Sequence, residues 1–498
     1  MILSINEYRS KVLGCWMGKN IGGTLGAPME WKRQVNNVTF YTQELGGNPL
    51  PNDDLDLQLV WLIALEEKGI DINARTLGDY WLLYITPHWA EYGNSKINLR
   101  SGLMPPLSGI ENNPYKDSCG AFIRSEIWAC IAPGCPEIAA RYAYEDAIVD
   151  HGNGEGVFAE IFCAALESAA FVEKDVMKLI SIGLSYIPED CGVAQVIHLV
   201  LDHYNAGTPY LKVRDDILSK YRAQFWAYAG ISQEEKDKGF ADGPVGWDVP
   251  ANIGFMLIGL LYGEGDFGKS LCITVNCGED TDCTAATLGS IYGIIYGIEA
   301  IPQKWIDPIG RSIKTCCLNL GELQWQLPLD IDSLTDRVEK IARQVTLRYC
   351  PSVELSDTRD SEWTDGYVNS MSSEDSGKSI YYKINGPEYK FDSFSVLVDY
   401  IEGPYVKDNC PKSIKFTIKN TYKIPESLNI KLYSDEGWHV GPSRQTKLFL
   451  GGNAQTLAFE LTSPRVPSFV NRFVLELTVE GKHTVMLVPI VLLNRNLP

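Results

Sequence analysis

The spacing of hydrophobic and polar positions changes about two thirds of the way along the chain. Up to about residue 350, apolar residues recur every three or four positions, as in Leu55–Leu65 and Phe158–Phe171, which is the spacing of one helix face. From about residue 378 the period becomes two, in short segments rich in Val, Ile, Thr and aromatic residues, which is typical of strands. The pattern predicts a mainly α protein, with a large all-helical domain at residues 1–350 and a small C-terminal β-sandwich at residues 378–498.

The segment between the two predicted domains, residues 351–377, is rich in Ser, Asp and Glu and poor in aliphatic residues, which predicts a polar linker or loop. About six or seven short strand patterns follow it, which favours a sandwich of the immunoglobulin-like type. Within the helical region, Gly289, Gly293 and Gly297 repeat every four residues. Small residues at this spacing let two helices approach closely.

Charge and cysteine content exclude several classes of protein. The chain has 498 residues, with 44 Lys and Arg against 63 Asp and Glu and a net charge of -19, so its surface repels nucleic acid and anionic lipid. The 13 cysteines form no CxxC pair, which favours reduced thiols. We expect a cytoplasmic protein without a membrane span or signal peptide, because neither hydropathy pattern occurs. The oligomeric state stays open.

Most of the candidate functional residues are carboxylates that lie at two predicted helix starts. The first cluster, Asn52, Asp53, Asp54 and Asp56, lies directly before a long apolar run. Acidic residues at a helix N-terminus often serve only as caps, because the helix dipole and free amides favour them there. Three aspartates within four positions exceed the need of a cap, however, and they repel one another unless a cation lies between them. Hard divalent cations such as Mg²⁺ prefer such oxygen ligands.

The second cluster contains Asp280, Asp282 and Cys283 and opens another apolar helix, roughly 225 residues later. One residue separates the two aspartates, so both can face one cation if that intervening residue turns outward. Either cluster alone is weak support for a site. Together, with a similar layout, they favour one metal centre over simple capping.

Two loops add candidate residues. A glycine-rich helix ends at Pro28, which places Glu30 on a loop, where it is either a surface residue or a general base. The loop that contains His151 and Asn153 is rich in glycine, so it can wrap a ligand or simply connect two helices. Inspection of the sequence finds no Ser-His-Asp arrangement.

The order of these motifs resembles the ADP-ribosylglycohydrolase family, the all-helical fold of dinitrogenase reductase-activating glycohydrolase. The motifs are a GxxxGxxxGGxLGAPxE segment, a helix start with two aspartates, an Asp-His-Gly loop and the segment GEDTDCTAATLGSIYG. The last is the most specific, because the family has GGDTDTxAxxGxxxG there. The resemblance covers roughly residues 8–310, and the β-rich tail falls outside it.

The resemblance implies two Mg²⁺ ions, which Mn²⁺ can replace, at the bottom of a cleft. The implied ligand positions are Asp53, Asp54, Asp280 and Asp282, with Asn52 and Cys283 where the family has threonine. A thiol is a poor ligand for so hard a cation. The resemblance also implies Glu30 as the catalytic acid or base and substrate contacts from Gly120, Arg124 and the His151 loop.

The function implied is a Mg²⁺-dependent hydrolase that cleaves an N- or O-glycosidic bond and releases ADP-ribose from a modified protein or small molecule. A glycosidase of the same fold that acts on a different sugar or nucleoside is the first alternative, and a non-catalytic ligand-binding homologue is the second. Asn52 and Cys283 favour the alternatives, whereas the four aspartates and Glu30 favour an enzyme. A β-sandwich often accompanies carbohydrate-acting enzymes, although its role here stays open.

Overall fold

The computed structural model describes residues 1–221, 246–372, 380–381 and 386–495. The chain forms two compact units: the first comprises Met1–Asn94 and Asn112–Tyr382, and the second comprises Ser95–Glu111 and Lys383–Pro498. Helices dominate the first unit, and two five-stranded sheets form most of the second. The predicted fold class, a mainly helical chain that ends in a β-sandwich-like domain, is confirmed.

Helices account for most of the regular structure in the described residues. They are α1 (Ile5–Gly26), α2 (Asp53–Lys68), α3 (Ala74–Tyr84), α4 (Ala90–Ser101), α5 (Leu107–Ile110), α6 (Glu126–Ile131), α7 (Pro136–Ala147), α8 (Glu155–Ala169), α9 (Val176–Leu184), α10 (Gly192–Asn205), α11 (Tyr210–Tyr221), α12 (Val249–Tyr262), α13 (Phe267–Asn276), α14 (Thr281–Tyr296), α15 (Gln303–Ile306), α16 (Leu320–Leu323), α17 (Ile331–Tyr349) and α18 (Asp365–Asn369). Short 3-10 helices lie at Ala27–Met29, Phe122–Arg124 and Ile298–Ala300. Among the described helices, none is both long and apolar enough to cross a membrane.

Two helices that are distant in sequence, α1 and α14, pack antiparallel along a glycine seam. A Cβ added at Gly14, Gly18 or Gly22 would overlap the backbone of α14, so the two helices touch main chain to main chain. The pairs in the seam are Gly14 with Gly293, Gly18 with Gly289, Gly22 with Ala285 and Gly26 with Thr281. The close approach expected from the glycine spacing is therefore present at Gly289 and Gly293. Gly297 instead follows the end of α14, with a φ of 81° that favours glycine.

The segment after α17 was predicted to be a polar linker or loop. Its described part contains the strand β2 (Glu354–Ser356), which pairs in parallel with β1 (Ile2–Ser4), and the short helix α18. Residues 373–377 lie outside the described residues.

Ten strands lie in the described part of the second unit. They are β3 (Glu388–Lys390), β4 (Phe394–Asp399), β5 (Tyr405–Val406), β6 (Lys412–Asn420), β7 (Glu426–Ser434), β8 (His439–Gly441), β9 (Arg444–Phe449), β10 (Ala454–Thr462), β11 (Val470–Val479) and β12 (Val485–Asn494). One sheet has the order β3-β4-β6-β10-β8 and the other β5-β12-β11-β7-β9, and all pairs except β5 with β12 are antiparallel. Buried and more exposed residues alternate along β4 and β6, as the period of two predicted. Leu103 and Leu107 join the apolar core of this unit, which explains why Ser95–Glu111 belongs to it.

Candidate functional site

A cleft of about 360 Å³ in the first unit collects most of the candidate residues. Its volume lies within the usual range for a small-molecule site. Carboxylates and indole rings share the lining, which includes Glu30, Asp53, Glu91, Asp280 and Asp282 together with Trp31, Trp89 and Trp247. The cleft therefore combines an acidic region with large aromatic surfaces.

The glycine seam brings two sides of this site together. Because α1 and α14 run antiparallel, the C-terminal end of α1 meets the N-terminal end of α14 at Gly26 and Thr281. The Thr281 hydroxyl also donates a hydrogen bond to the Gly26 carbonyl, at 2.9 Å. Asp280 and Asp282 flank Thr281, and Glu30 follows the 3-10 turn after α1. Close helix packing thus places Glu30 next to two carboxylates, Asp280 and Asp282, that are distant from it in the sequence.

Glu30, Asp280 and Asp282 form an all-oxygen cluster, in which one carboxylate oxygen of each lies within 4.8 Å of the others. The Oδ1 atoms of Asp280 and Asp282 are buried and have no hydrogen-bond partner among the described residues. Burial and then Asp282 raise the pKa of Glu30 to about 9, and burial and then Asp53 raise the pKa of Asp282 to about 6. Buried, unpaired oxygens of this kind fit a hard divalent cation, so the cluster suits Mg²⁺ or Mn²⁺.

The first acidic segment divides into three different roles. The Asn52 Oδ1 accepts a hydrogen bond from the backbone amide of Asp54, at 2.8 Å, and so caps α2. Asp53 lines the cleft and accepts a hydrogen bond from the Tyr92 hydroxyl, at 2.9 Å. Asp54 is fully buried and lies outside the cleft lining. Asn52 also lines the cleft, so of the three residues only Asp54 is out of reach of a ligand there.

Asp54 belongs to a second, inner cluster with Asp282 and Cys283, whose ligand atoms also lie within 4.8 Å of one another. The Cys283 thiol lies 3.6 Å from Asp54 Oδ1, and burial raises the pKa of that thiol well above its ordinary value. The Lys19 ammonium lies 3.4 Å from the other oxygen of Asp54. This inner cluster thus contains a protonated thiol and a nearby cation, unlike the all-oxygen cluster.

Gly120 and Arg124 lie on one loop but have different surroundings. Gly120 lines the cleft, and a Cβ there would overlap the Glu91 carboxylate. Arg124 is fully buried, donates to the Gly120 carbonyl at 2.6 Å, and pairs with Asp146 and Asp150 at 3.0 and 2.7 Å. The guanidinium therefore holds the Gly120 loop in place from behind the cleft wall.

His151 also lies behind the wall, where it is fully buried. Its Nδ1 lies 3.0 Å from Asp150 Oδ1, and its Nε2 lies 3.4 Å from the Oγ of Ser118, which lines the cleft. Burial alone would raise the pKa of Asp150, but Arg124 and His151 lower it to about 2, so the carboxylate is charged. Asn153 is half-buried, lies outside the cleft lining and donates its backbone amide to the His151 carbonyl, at 2.6 Å. The structure thus brings Ser118, His151 and Asp150 together, which the sequence did not reveal, although His151 Nδ1 has no hydrogen-bond partner among the described residues.

Sequence reasoning assigned no role to Lys19 or to the three cleft tryptophans. From Val12 to the end of α1, Lys19 is the one charged residue, and a charge inside such a helix is the signal that could have identified it. Trp31 directly follows Glu30, is 48% exposed and has a φ of 63°. Because a left-handed backbone is strained for a tryptophan, its position beside the carboxylates also points to function.

Known proteins share parts of this chain. A segment of 49 residues is 35% identical to ADP-ribosylarginine hydrolase Tri1 from Serratia proteamaculans (strain 568) and covers 10% of this chain and 13% of that relative. A solved structure described as an ADP-ribosylglycohydrolase-related protein complex has 18% identity and a TM-score of 0.44, and the match covers 68% of this chain and 99% of that one. A solved structure of a FixG-related protein from Vibrio parahaemolyticus has 12% identity and a TM-score of 0.19. That match covers 21% of this chain and 99% of the other.

The family model described as ADP-ribosylglycohydrolase matches residues 4–345, which is well over half of the chain. The matched region contains the glycine seam, both acidic clusters and the cleft. The chain belongs to the ADP-ribosylglycohydrolase family.

Proposed function

We propose that this chain is a metal-dependent hydrolase that cleaves a glycosidic bond and releases ADP-ribose from a modified protein or small molecule. The observation that carries the proposal is the cluster of Glu30, Asp280 and Asp282 in the cleft of a member of this family, with two buried carboxylate oxygens that lack a partner among the described residues. The similarity to an ADP-ribosylarginine hydrolase supports an N-glycosidic bond to arginine as the first bond to test.

Asp280 and Asp282 would hold the cation, with Glu30 beside them and Asp53 in the same cleft. A bound Mg²⁺ or Mn²⁺ supplies positive charge that orients sugar hydroxyls and acidifies a water molecule. The carboxylates also stabilise the positive charge that develops on the sugar as the glycosidic bond breaks. The aspartates therefore serve both to bind the cation and to favour the transition state.

Glu30 is the proposed acid or base. Burial and then Asp282 raise the pKa of Glu30 to about 9 in the absence of a cation, so its carboxyl group is able to hold a proton. Such a group can donate that proton to the leaving group and then take one from the attacking water. Because Glu30 lies on a loop at the end of a rigid helix, its position is fixed by the glycine seam rather than by the loop alone.

Other residues would bind and orient the substrate. Trp31 and Trp89 line the cleft and are about half exposed, so they can cover a flat part of the substrate and exclude water from it. The Ser118 hydroxyl, oriented by His151, can hydrogen-bond to a polar group of the substrate. Arg124 and His151 act in this proposal as positioning residues, because both are fully buried.

One observation favours the first alternative, a glycosidase that acts on another sugar or nucleoside. Among the described residues that line the cleft there is no Lys, Arg or His, whereas three are tryptophans. A diphosphate would gain no direct charge pairing from such a lining, while the face of a neutral sugar or base packs well on an indole ring. This feature makes the substrate, rather than the presence of catalysis, the main point to test.

The test is turnover of ADP-ribosylarginine by the purified chain with Mg²⁺, followed by chromatography of released ADP-ribose. We expect release by the wild type, loss of release in Glu30→Gln, and full release in the exposed control Glu44→Gln. Turnover of nucleosides or neutral glycosides without ADP-ribose release would support the alternative. Folded wild-type protein that turns over none of these substrates would contradict a hydrolase.

A further inference from the structure

The buried ammonium group of Lys19 is held beside the metal cluster. Lys19 is only 2% exposed, and its Nζ donates to the Ile123 carbonyl at 2.5 Å and to Glu126 Oε1 at 2.7 Å. The same Nζ lies 3.4 Å from Asp54 Oδ2. A buried charge is costly unless opposite charges surround it, and here two buried carboxylates do so. Lys19 is therefore a fixed internal cation, one side chain away from the cleft.

Each oxygen of Asp54 has a different neighbour inside the protein. Oδ2 lies 3.4 Å from the Lys19 ammonium, an ion pair without a hydrogen bond, and Oδ1 lies 3.6 Å from the Cys283 thiol. Its neighbour Asp53 lines the cleft, whereas Asp54 is fully buried and does not. Two adjacent aspartates that look equivalent in the sequence thus face different partners.

The two donor clusters differ in their fitness for a hard cation. The outer cluster of Glu30, Asp280 and Asp282 offers only oxygen atoms, and two of them lack a partner among the described residues. The inner cluster shares Asp282 but adds a thiol, which Mg²⁺ and Mn²⁺ bind poorly. A cation bound to Asp54 would also share that carboxylate with the ammonium group, which repels it.

We propose that Lys19 takes the place of a second divalent cation, so that the chain binds one Mg²⁺ or Mn²⁺ ion, at the outer cluster. The inner cluster obtains its positive charge from the protein itself. This inference rests on the proposed metal-dependent function but differs from the two ions that the resemblance implied. It also explains why Cys283 is tolerated at an implied ligand position, because no hard cation needs to be bound there.

The number of bound ions tests the proposal directly. Equilibrium dialysis of the full chain against Mn²⁺, combined with electron paramagnetic resonance, should give one ion per chain and the spectrum of an isolated Mn²⁺. Two ions per chain with a spin-coupled spectrum would overturn the role of Lys19 and leave the proposed hydrolase intact. Folded protein that binds no Mn²⁺ would overturn both the single-ion site and the proposed metal dependence.

A matched pair of variants locates the ion. Asp54→Asn should still bind one Mn²⁺, with a Kd changed by less than about threefold, or about 0.7 kcal/mol. Asp280→Asn removes a charge from the outer cluster alone, because the inner cluster does not contain Asp280, and should weaken the Kd by about 100-fold or more. Circular dichroism checks that both variants are folded. If Asp54→Asn loses the ion as completely as Asp280→Asn does, Asp54 is a ligand and the proposal is wrong.

Discussion

The glycine seam gives a prediction in which helix packing and metal binding change together. In an ordinary helix, replacing Gly by Ala stabilises the fold by about 0.5–1 kcal/mol, because alanine has less backbone freedom to lose. At Gly22 the added Cβ would overlap the backbone of Ala285, which no side-chain rotation can relieve. Overpacking of this kind costs about 1–3 kcal/mol, so we expect Gly22→Ala to lower the free energy of unfolding by about that amount.

Urea unfolding followed by tryptophan fluorescence measures this change, because all tryptophans except Trp438 precede residue 383. The control is Gly366→Ala in α18, where the Cβ meets only the Thr364 hydroxyl, at an ordinary 3.6 Å. That variant should be as stable as the wild type or slightly more so. Gly22→Ala should also weaken Mn²⁺ binding, because the seam sets the position of Asp280 and Asp282 relative to Glu30. Wild-type stability in Gly22→Ala would refute the role assigned to the seam.

Three further results are expected. Burial lowers the pKa of Lys11 from 10.5 to about 8, so the folded chain releases this proton before the unfolded chain does. Between pH 8 and 10.5 the free energy of unfolding of the wild type should therefore rise by up to about 3 kcal/mol relative to that of Lys11→Met. Urea titrations at several pH values measure this difference, and parallel pH profiles for the two proteins would contradict it. Ser118→Ala should stay folded and release ADP-ribose about tenfold more slowly, because a factor of about ten in rate corresponds to the loss of one hydrogen bond to the substrate. An unchanged rate would place Ser118 outside the site. EDTA should stop turnover and added Mg²⁺ should restore it, and turnover that survives complete metal removal would exclude a metal-dependent step.

Local patterns predicted the parts of this protein that depend on neighbours in sequence. The change of period from about 3.6 to two separated helices from strands, because each period reports which face of one element is buried. Both acidic clusters were found because helix starts and carboxylates are linked by the helix dipole. The four-residue repeat of Gly289 and Gly293 indicated a close helix contact, although it could not identify α1 as the partner.

Features that depend on distant residues were not predictable in this way. Ser118 and His151 are 33 positions apart, and only the folded chain brings the hydroxyl to the imidazole. Asn52, Asp53 and Asp54 are consecutive in the sequence and look alike there. Only the structure shows that the first caps a helix, the second faces the cleft and the third faces Lys19. The segment Ser95–Glu111 joins the second unit through apolar contacts that no change in composition marks.

Calorimetric titration of ADP-ribose into the full chain, first with Mn²⁺ and then with EDTA, tests the central claim most directly. The account predicts micromolar binding that depends on Mn²⁺ in the wild type and is lost in Asp282→Asn, because the cation and the substrate share one cleft. Folded, Mn²⁺-loaded protein that binds no ADP-ribose would contradict ADP-ribose as the released group.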